Sequence, residues 1–267
     1  MKKAYLEKIT LSKNKRGCYI LDTVKGCSFG ITNNNKGCYG ECYAKNIADR
    51  YGFNFNNPKC RVFKNNNNQL YFFGLKDMTH TNQIIRQINN MQMPFIRIGE
   101  MGDPSEDWEH TLSVCKDIVS VHKKIVVITK HIKQIPDKLL PVVEKLNFCI
   151  NTSISALDEE RLRQKRLSQF HKLKNICNSV LRIVSCSFNK NNKEGYRLDK
   201  IQSDLFKNDN YIDTIFRPGI NNKLVMNNII NTSKTWFLNS YVLASVHNKN
   251  TYFGLCSYCP DMCGINK

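Results

Sequence analysis

The sequence predicts an α/β protein built on a parallel sheet. Short apolar runs recur through the middle of the chain, each followed by a polar tip and then a helical pattern. Counting the apolar run that leads into a cysteine loop, there are six strands, mostly separated by helices, a pattern that calls for right-handed crossovers. No repeat of fixed period and no interdomain linker interrupts the scheme. One domain over 1–267 is therefore expected, with a core at 17–220 and a cysteine-rich extension at 234–267.

Residues 1 to 16 are basic and read as a surface strand or arm. The first core strand is the run Gly17 to Val24 (GCYILDTV), and a helical pattern from Tyr43 to Arg50 follows the loop after it. Residues 53 to 68 end in an Asn-rich tract and read as a long loop or lid carrying an isolated Cys60. A helix is expected from Thr79 to Asn90, with Ile84, Ile85 and Ile88 on one face. The second strand is Pro94 to Ile98, tipped by Gly99-Glu100-Met101-Gly102-Asp103, with Ser105 suited to cap a helix running to His122. The third is Lys124 to Thr129, tipped by Lys130-His131. The fourth is Asn147 to Ser153, tipped by Ile154-Ser155 and followed by a charged helix from Asp158 to Asn175. The fifth is Val180 to Ser185, and the sixth is Tyr211 to Phe216, tipped by Arg217-Pro218-Gly219.

Composition narrows the setting. The net charge is 40 − 22 = +18, a field that attracts nucleic acid, nucleotides or other anions. The Lys and Asn are spread along the chain, so compositional drift explains the charge as readily as a polyanion groove does. The charged start, MKKAYLEKIT, lacks the apolar core of a signal peptide, and no run reaches the length of a membrane span. A cytoplasmic protein without membrane partners is expected. In that reducing setting, twelve cysteines argue for metal over disulfides.

The cysteines fall into groups. Cys27, Cys38 and Cys42 share one loop between a strand and a helix, with Gly26, Gly30, Gly37 and Gly40 to let it bend. Thiolates set closely favour iron–sulfur or zinc, and three ligands leave a metal position open to substrate. Cys256, Cys259 and Cys263 form a second trio, beside Pro260 and Gly264. This trio suits an auxiliary 4Fe–4S cluster or part of one, with a zinc knuckle or free thiols as the alternatives. Its fourth ligand would come from Cys60, Cys186 or a substrate atom.

The strand, the glycine-flanked cysteine loop ending in Cys42-Tyr43-Ala44 and the helix after it resemble the cluster loop of radical S-adenosylmethionine (SAM) enzymes. The likeness is to the branch containing spore photoproduct lyase and the phage-type radical SAM proteins. The spacing departs from the common one: ten residues separate Cys27 from Cys38, and three separate Cys38 from Cys42. Cys18 is the substitute for Cys27. The resemblance implies a partial (β/α)6 TIM-like barrel with its chemistry at the C-terminal ends of the strands. It implies a 4Fe–4S cluster on Cys27, Cys38 and Cys42, with SAM chelating the open iron. Reductive cleavage of SAM then yields a 5′-deoxyadenosyl radical that abstracts hydrogen from substrate, with flavodoxin or ferredoxin as electron donor. Gly99-Glu100 match the family's glycine–glutamate motif for the SAM amino group; the alternative is that Glu100 caps the next helix.

Asn151, Ser153, Ser155, Arg182 and Ser185 are placed for the ribose and carboxylate of SAM, or for ordinary hydrogen bonding at strand ends. Asp103, Asp107, Lys130 and His131 are the substrate candidates. The acids at the mouth suit the N–H edge of a guanine-like base, so a modified nucleobase or nucleoside is the expected substrate. Whole-chain appearance also resembles the queuine lyases, which act on a 7-deazaguanine base in queuosine salvage. Two readings compete: nucleic-acid lesion repair like that of spore photoproduct lyase, favoured by the charge, and a zinc-binding nucleic-acid module without enzymatic activity.

Overall fold

The computed structural model describes residues 7–63, 78–146, 148–231, 238–239, 242–243, 251–252 and 254–266. The basic arm supplies β1 (Glu7–Lys8) and β2 (Ser12–Lys13), and the first core run supplies β3 (Tyr19–Ile20) and β4 (Val24–Lys25). The cysteine loop holds a short turn, α1 (Thr32–Asn35), and leads into α2 (Tyr43–Arg50). β5 (Lys59–Val62) and α3 (Thr79–Asn90) follow. The alternation then runs β6 (Phe95–Ile98), α4 (Trp108–Asp117), β7 (Lys124–Thr129), α5 (Leu140–Leu146), β8 (Cys149–Ile154) and α6 (Glu160–Lys174). It ends with β9 (Asn178–Ser185), α7 (Lys193–Leu205), β10 (Tyr211–Ile215) and the short α8 (Lys223–Met226). β11 (Leu238–Asn239), β12 (Val242–Leu243) and β13 (Thr251–Tyr252) pair antiparallel.

The main sheet has the order β10-β9-β8-β7-β6-β3-β2. Every pair from β3 to β10 is parallel, and only β2 runs against its neighbour. Each strand of the alternation lies beside its predecessor, so the sheet winds in one direction. β2 and β10 form its edges, and the described strands do not close into a barrel. A second sheet, β1-β5-β4, carries the start of the cysteine loop.

Period-two alternation gives the main sheet two unlike faces. On one face Ile154, Leu181 and Ile183 pack with Phe170 of α6 and Leu205 of α7. Ile96, Ile98, Val127 and Ile150 join the larger core with Trp108 and Leu112 of α4. The intervening residues Arg97, Asn151, Ser153, Arg182 and Thr214 bring polar groups to the other face. That face carries the candidate site.

The helices at Tyr43–Arg50 and Thr79–Asn90 match expectation. Ser105 is not the cap of the next helix, as was expected. Asp103 caps a 3₁₀ turn at Pro104–Glu106, and Asp107 caps α4 through the His110 N–H at 2.9 Å. A carboxylate accepts more strongly than a hydroxyl, and Ser105 Oγ itself donates to Asp103 at 2.6 Å. α6 begins at Glu160, with Glu159 at its N-cap, and Asp158 forms a buried ion pair with Arg166. Within the expected lid, 59–62 is strand, and 64–68 lies outside the described residues, as does much of the C-terminal extension. Among the described residues no helix is long and apolar enough to cross a membrane.

Truncating a fully buried strand residue tests the packed face. Ile183→Ala should lower the unfolding free energy by about 2–5 kcal/mol, read as a lower urea midpoint at unchanged slope.

Candidate functional site

The site begins with Asp22. Its buried carboxylate accepts the backbone N–H groups of Gly99, Glu100 and Met101 at 3.2, 2.7 and 3.0 Å. This fastens the end of the first core run to the tip after β6. The two segments then touch at the Gly26–Gly102 bridge, where a Cβ on Gly102 would lie 2.3 Å from the Val24 carbonyl oxygen. Burial pushes the Asp22 carboxyl up, and the Glu100 and Met101 N–H groups oppose that shift.

The cysteine loop hangs from this joint. Cys27 N–H donates to Phe55 O at 2.8 Å, and Ser28 N–H to Glu106 Oε1 at 2.5 Å. Asn33, Asn34 and Asn35 adopt left-handed conformations, φ 52°, 56° and 66°, which asparagine tolerates better than most residues. The three asparagines thus turn the long spacer back, so that Cys27 and Cys38 face the same space. The far end of the loop is held by Glu41, which accepts the Gly219 N–H at 2.8 Å, and by Asn222, which donates to Tyr39 O at 3.0 Å.

The result is a cavity of about 520 Å³ over the C-terminal ends of the parallel strands. Cys27, Cys38 and Cys42 line it together with Gly99 and Glu100, Ser153 and Arg182 of the polar face, and Lys130. All twelve thiols are free of disulfides. Burial pushes the Cys27 and Cys38 thiols up, so a bound cation would be needed to hold them as thiolates. No three His, Cys, Asp or Glu side chains among the described residues converge on a single ion position. A cubane cluster does not require that convergence, because each thiolate binds a separate iron. Three thiols lining one cavity are a donor set of the type such a cluster takes.

The other candidates divide. The Glu100 carboxylate pairs with Arg97 at 2.6 Å and accepts from Asn14, so it caps no helix. Asp103 borders the cavity, but its oxygens accept from Ser105 N and Oγ, Thr129 Oγ1 and Lys130 N, at 2.6 to 2.9 Å. It ties the tips after β6 and β7 together and has little left to offer a substrate. Asp107, Asn151, Ser155, Ser185 and His131 are not among the cavity-lining residues. Asp107 accepts from the Cys60 thiol at 3.6 Å, so Cys60 is not isolated. Ser155 donates to Val184 O and Ser185 to Asp213, at 2.7 and 2.6 Å. His131 is buried, with Nε2 3.0 Å from Thr152 Oγ1, and burial drives its pKa down to about 4. Cys18 does not replace Cys27: it is buried against Cys256 instead. Asn151 donates to Cys263 O at 2.8 Å and so anchors the C-terminal loop.

Several site residues escaped sequence reasoning, and three of them, Tyr39, Asp158 and Arg166, hold the substrate candidate Lys130. Lys130 Nζ donates to Tyr39 OH at 2.6 Å, and Tyr39 OH donates to Asp158 at 2.8 Å. Asp158 also pairs with Arg166 at 2.5 Å, while Arg166 Nε donates to Lys130 O at 2.6 Å. This buried network sets the wall beside Cys38. Burial alone would raise the Asp158 carboxyl; Lys130 and Arg166 outweigh it and hold the group below its ordinary value. Glu41, Phe216 and Arg217 also reach the cavity. An acid at the end of an apolar run was the available signal for Asp22; nothing local marks Asp158 or Arg166.

The chain matches no protein-family model, and no curated protein is significantly similar to it.

Two pH-dependent outcomes follow. Asp158→Asn should cost about 3–5 kcal/mol at pH 7, since it leaves Arg166 without its counter-ion. The wild-type carboxyl is depressed in the fold, so its stabilisation is present above the ordinary value of 3.8 and lost as pH falls through the folded value. The variant should therefore lose that part of the acid limb in pH-dependent urea unfolding. His131 is held neutral, so its contribution is full above the ordinary 6.5 and falls away down to about 4. His131→Gln should flatten the stability curve across that window in the same measurement.

Proposed function

We propose that the chain is a radical SAM enzyme on a partial (β/α)6 barrel of that type. The observation that carries this reading is the convergence of Cys27, Cys38 and Cys42 with the Gly99-Glu100 tip on one cavity at the C-terminal strand ends. Cys27, Cys38 and Cys42 would hold a 4Fe–4S cluster. With SAM bound, that cluster supplies the reductive cleavage that yields a 5′-deoxyadenosyl radical. The Gly99-Glu100 tip would accept the SAM ammonium, with Arg97 and Asn14 fixing the Glu100 carboxylate. Arg182 and Ser153 bring a cation and a hydroxyl for the SAM carboxylate and ribose. The loop and tip would hold the partners in register.

The cavity volume lies in the range of small-molecule sites, which supports a nucleobase or nucleoside substrate. Tyr39 and Phe216, edge to face at 5.5 Å, give its wall an aromatic surface for a base, and Glu41 brings it a carboxylate. The specific proposal is a lyase acting on a 7-deazaguanine base, as queuine lyases do, with flavodoxin or ferredoxin as reductant in the cytoplasm. The net charge of +18 supports a second reading, lesion repair on a nucleic acid.

The test is anaerobic incubation of reduced, iron-loaded protein with SAM and a panel of 7-deazaguanine bases, nucleosides and lesion-bearing oligonucleotides. Formation of 5′-deoxyadenosine is expected, and Cys38→Ala or Cys42→Ala should abolish it. Unchanged formation in those variants, or a wild-type protein that binds only zinc, overturns the assignment. Turnover of an oligonucleotide but of no free base selects the repair reading.

A further inference from the structure

The polar face of the sheet carries a second, smaller cavity of about 130 Å³, below the first and toward the N-terminal strand ends. Arg97 and Arg182 line both cavities and so stand between them. The C-terminal loop closes the lower one. Asn151 Nδ2 donates to Cys263 O at 2.8 Å, and Asn178 Nδ2 to Gly264 O at 3.0 Å. Gly264, φ +92°, lies so close to the sheet that a Cβ would come within 2.6 Å of Val180 Cγ2. Cys256 N–H donates to Arg16 O at 2.7 Å, and Arg16 Nε returns to Gly254 O at 2.8 Å. The loop is thus fastened at both ends.

This fastening gathers thiols. Cys256, Cys259 and Cys263 line the lower cavity. Cys18 reaches the group from the other end of the chain. Its backbone N–H donates to Asn14 Oδ1 at 3.0 Å, and its side chain lies in the same buried cluster as Cys256, with Cys263 packed against it. We propose that Cys18, Cys256, Cys259 and Cys263 together hold a second iron–sulfur cluster, with Cys18 as the fourth ligand. Neither Cys60 nor Cys186 fills that place. Cys60 bonds Asp107, and Cys186 lies in an apolar cluster with Phe188 and Leu198.

Charge gives an independent reason. Arg16, Arg97, Arg182 and Arg217 all border this cavity, against Asp213 and Asp261. Arg97 has Glu100 as partner, yet its buried Nε makes no hydrogen bond. Arg182 Nη1 donates to the neutral Asn151 at 3.5 Å. Buried cations need a compensating anion. A cluster held by four thiolates is a net anion and meets that need.

The geometry favours a cluster over one zinc ion. A zinc site needs its thiolates converged on a point, and among the described residues no such group exists. The space is also roughly ten times what a single water requires. Cys149 is the remaining thiol nearby, but it sits in β8 and donates to the Cys263 carbonyl at 3.5 Å.

The inference does not depend on the upper cavity, and the test separates the two. The full chain with Cys38→Ala and Cys42→Ala, which empties the upper loop, is reconstituted anaerobically with iron and sulfide. Iron, acid-labile sulfide and the EPR spectrum of the reduced protein are then measured. About half of the wild-type iron should remain, with a 4Fe–4S signal. Adding Cys18→Ala or the more exposed Cys259→Ser should weaken and alter that signal, since one iron loses its protein ligand, while adding Cys149→Ala should leave it unchanged. The proposal is overturned if the double variant, folded by circular dichroism, holds no iron. It is also overturned if that variant takes up stoichiometric zinc in place of a cluster when both metals are offered, or if Cys18→Ala keeps the full signal.

Discussion

One carboxylate organises the upper half of the molecule. Asp22 accepts three consecutive backbone N–H groups from the tip after β6. Those donors lie past a strand end, where no neighbouring strand supplies acceptors, and an unpaired buried N–H is costly. The bond set fixes the Gly99-Glu100 tip against the start of the cysteine loop. With the loop root held there and its far end held by Glu41 and Asn222, Cys27 faces a common space with Cys38 and Cys42 across a ten-residue spacer.

Around this joint the buried charges are arranged in two groups. Asp158, Arg166, Lys130 and Tyr39 form a hydrogen-bonded network along one wall of the upper cavity. Arg97 and Arg182 form the boundary with the lower cavity, where positive charge exceeds negative. Arg97 has Glu100 as its partner, at 2.6 Å.

The acid cluster expected at the mouth shows why residue type and strand position do not settle a role. Asp103 and Asp107 lie in sequence where a substrate contact would be useful. Each is bound instead by donors that belong to the fold: hydroxyls and N–H groups for Asp103, a helix N-terminus for Asp107. Asp103's partners Thr129 and Lys130 come from another strand and its tip, and Asp107 meets the Cys60 thiol. Glu41, unremarkable in sequence, reaches the cavity because the turn around Tyr39 swings it there.

The strand–helix alternation, the parallel winding, the helices at Tyr43–Arg50 and Thr79–Asn90 and the grouping of Cys27, Cys38 and Cys42 were legible in the sequence. Each rests on local periodicity or short spacing, which the chain carries wherever it folds. The partnership of Cys18 with Cys256, the burial of His131 and the Asp158–Arg166 pair were settled only by tertiary structure. They join segments far apart along the chain, and no local pattern records which distant side chain meets which when a sheet curves and a C-terminal loop folds back onto it.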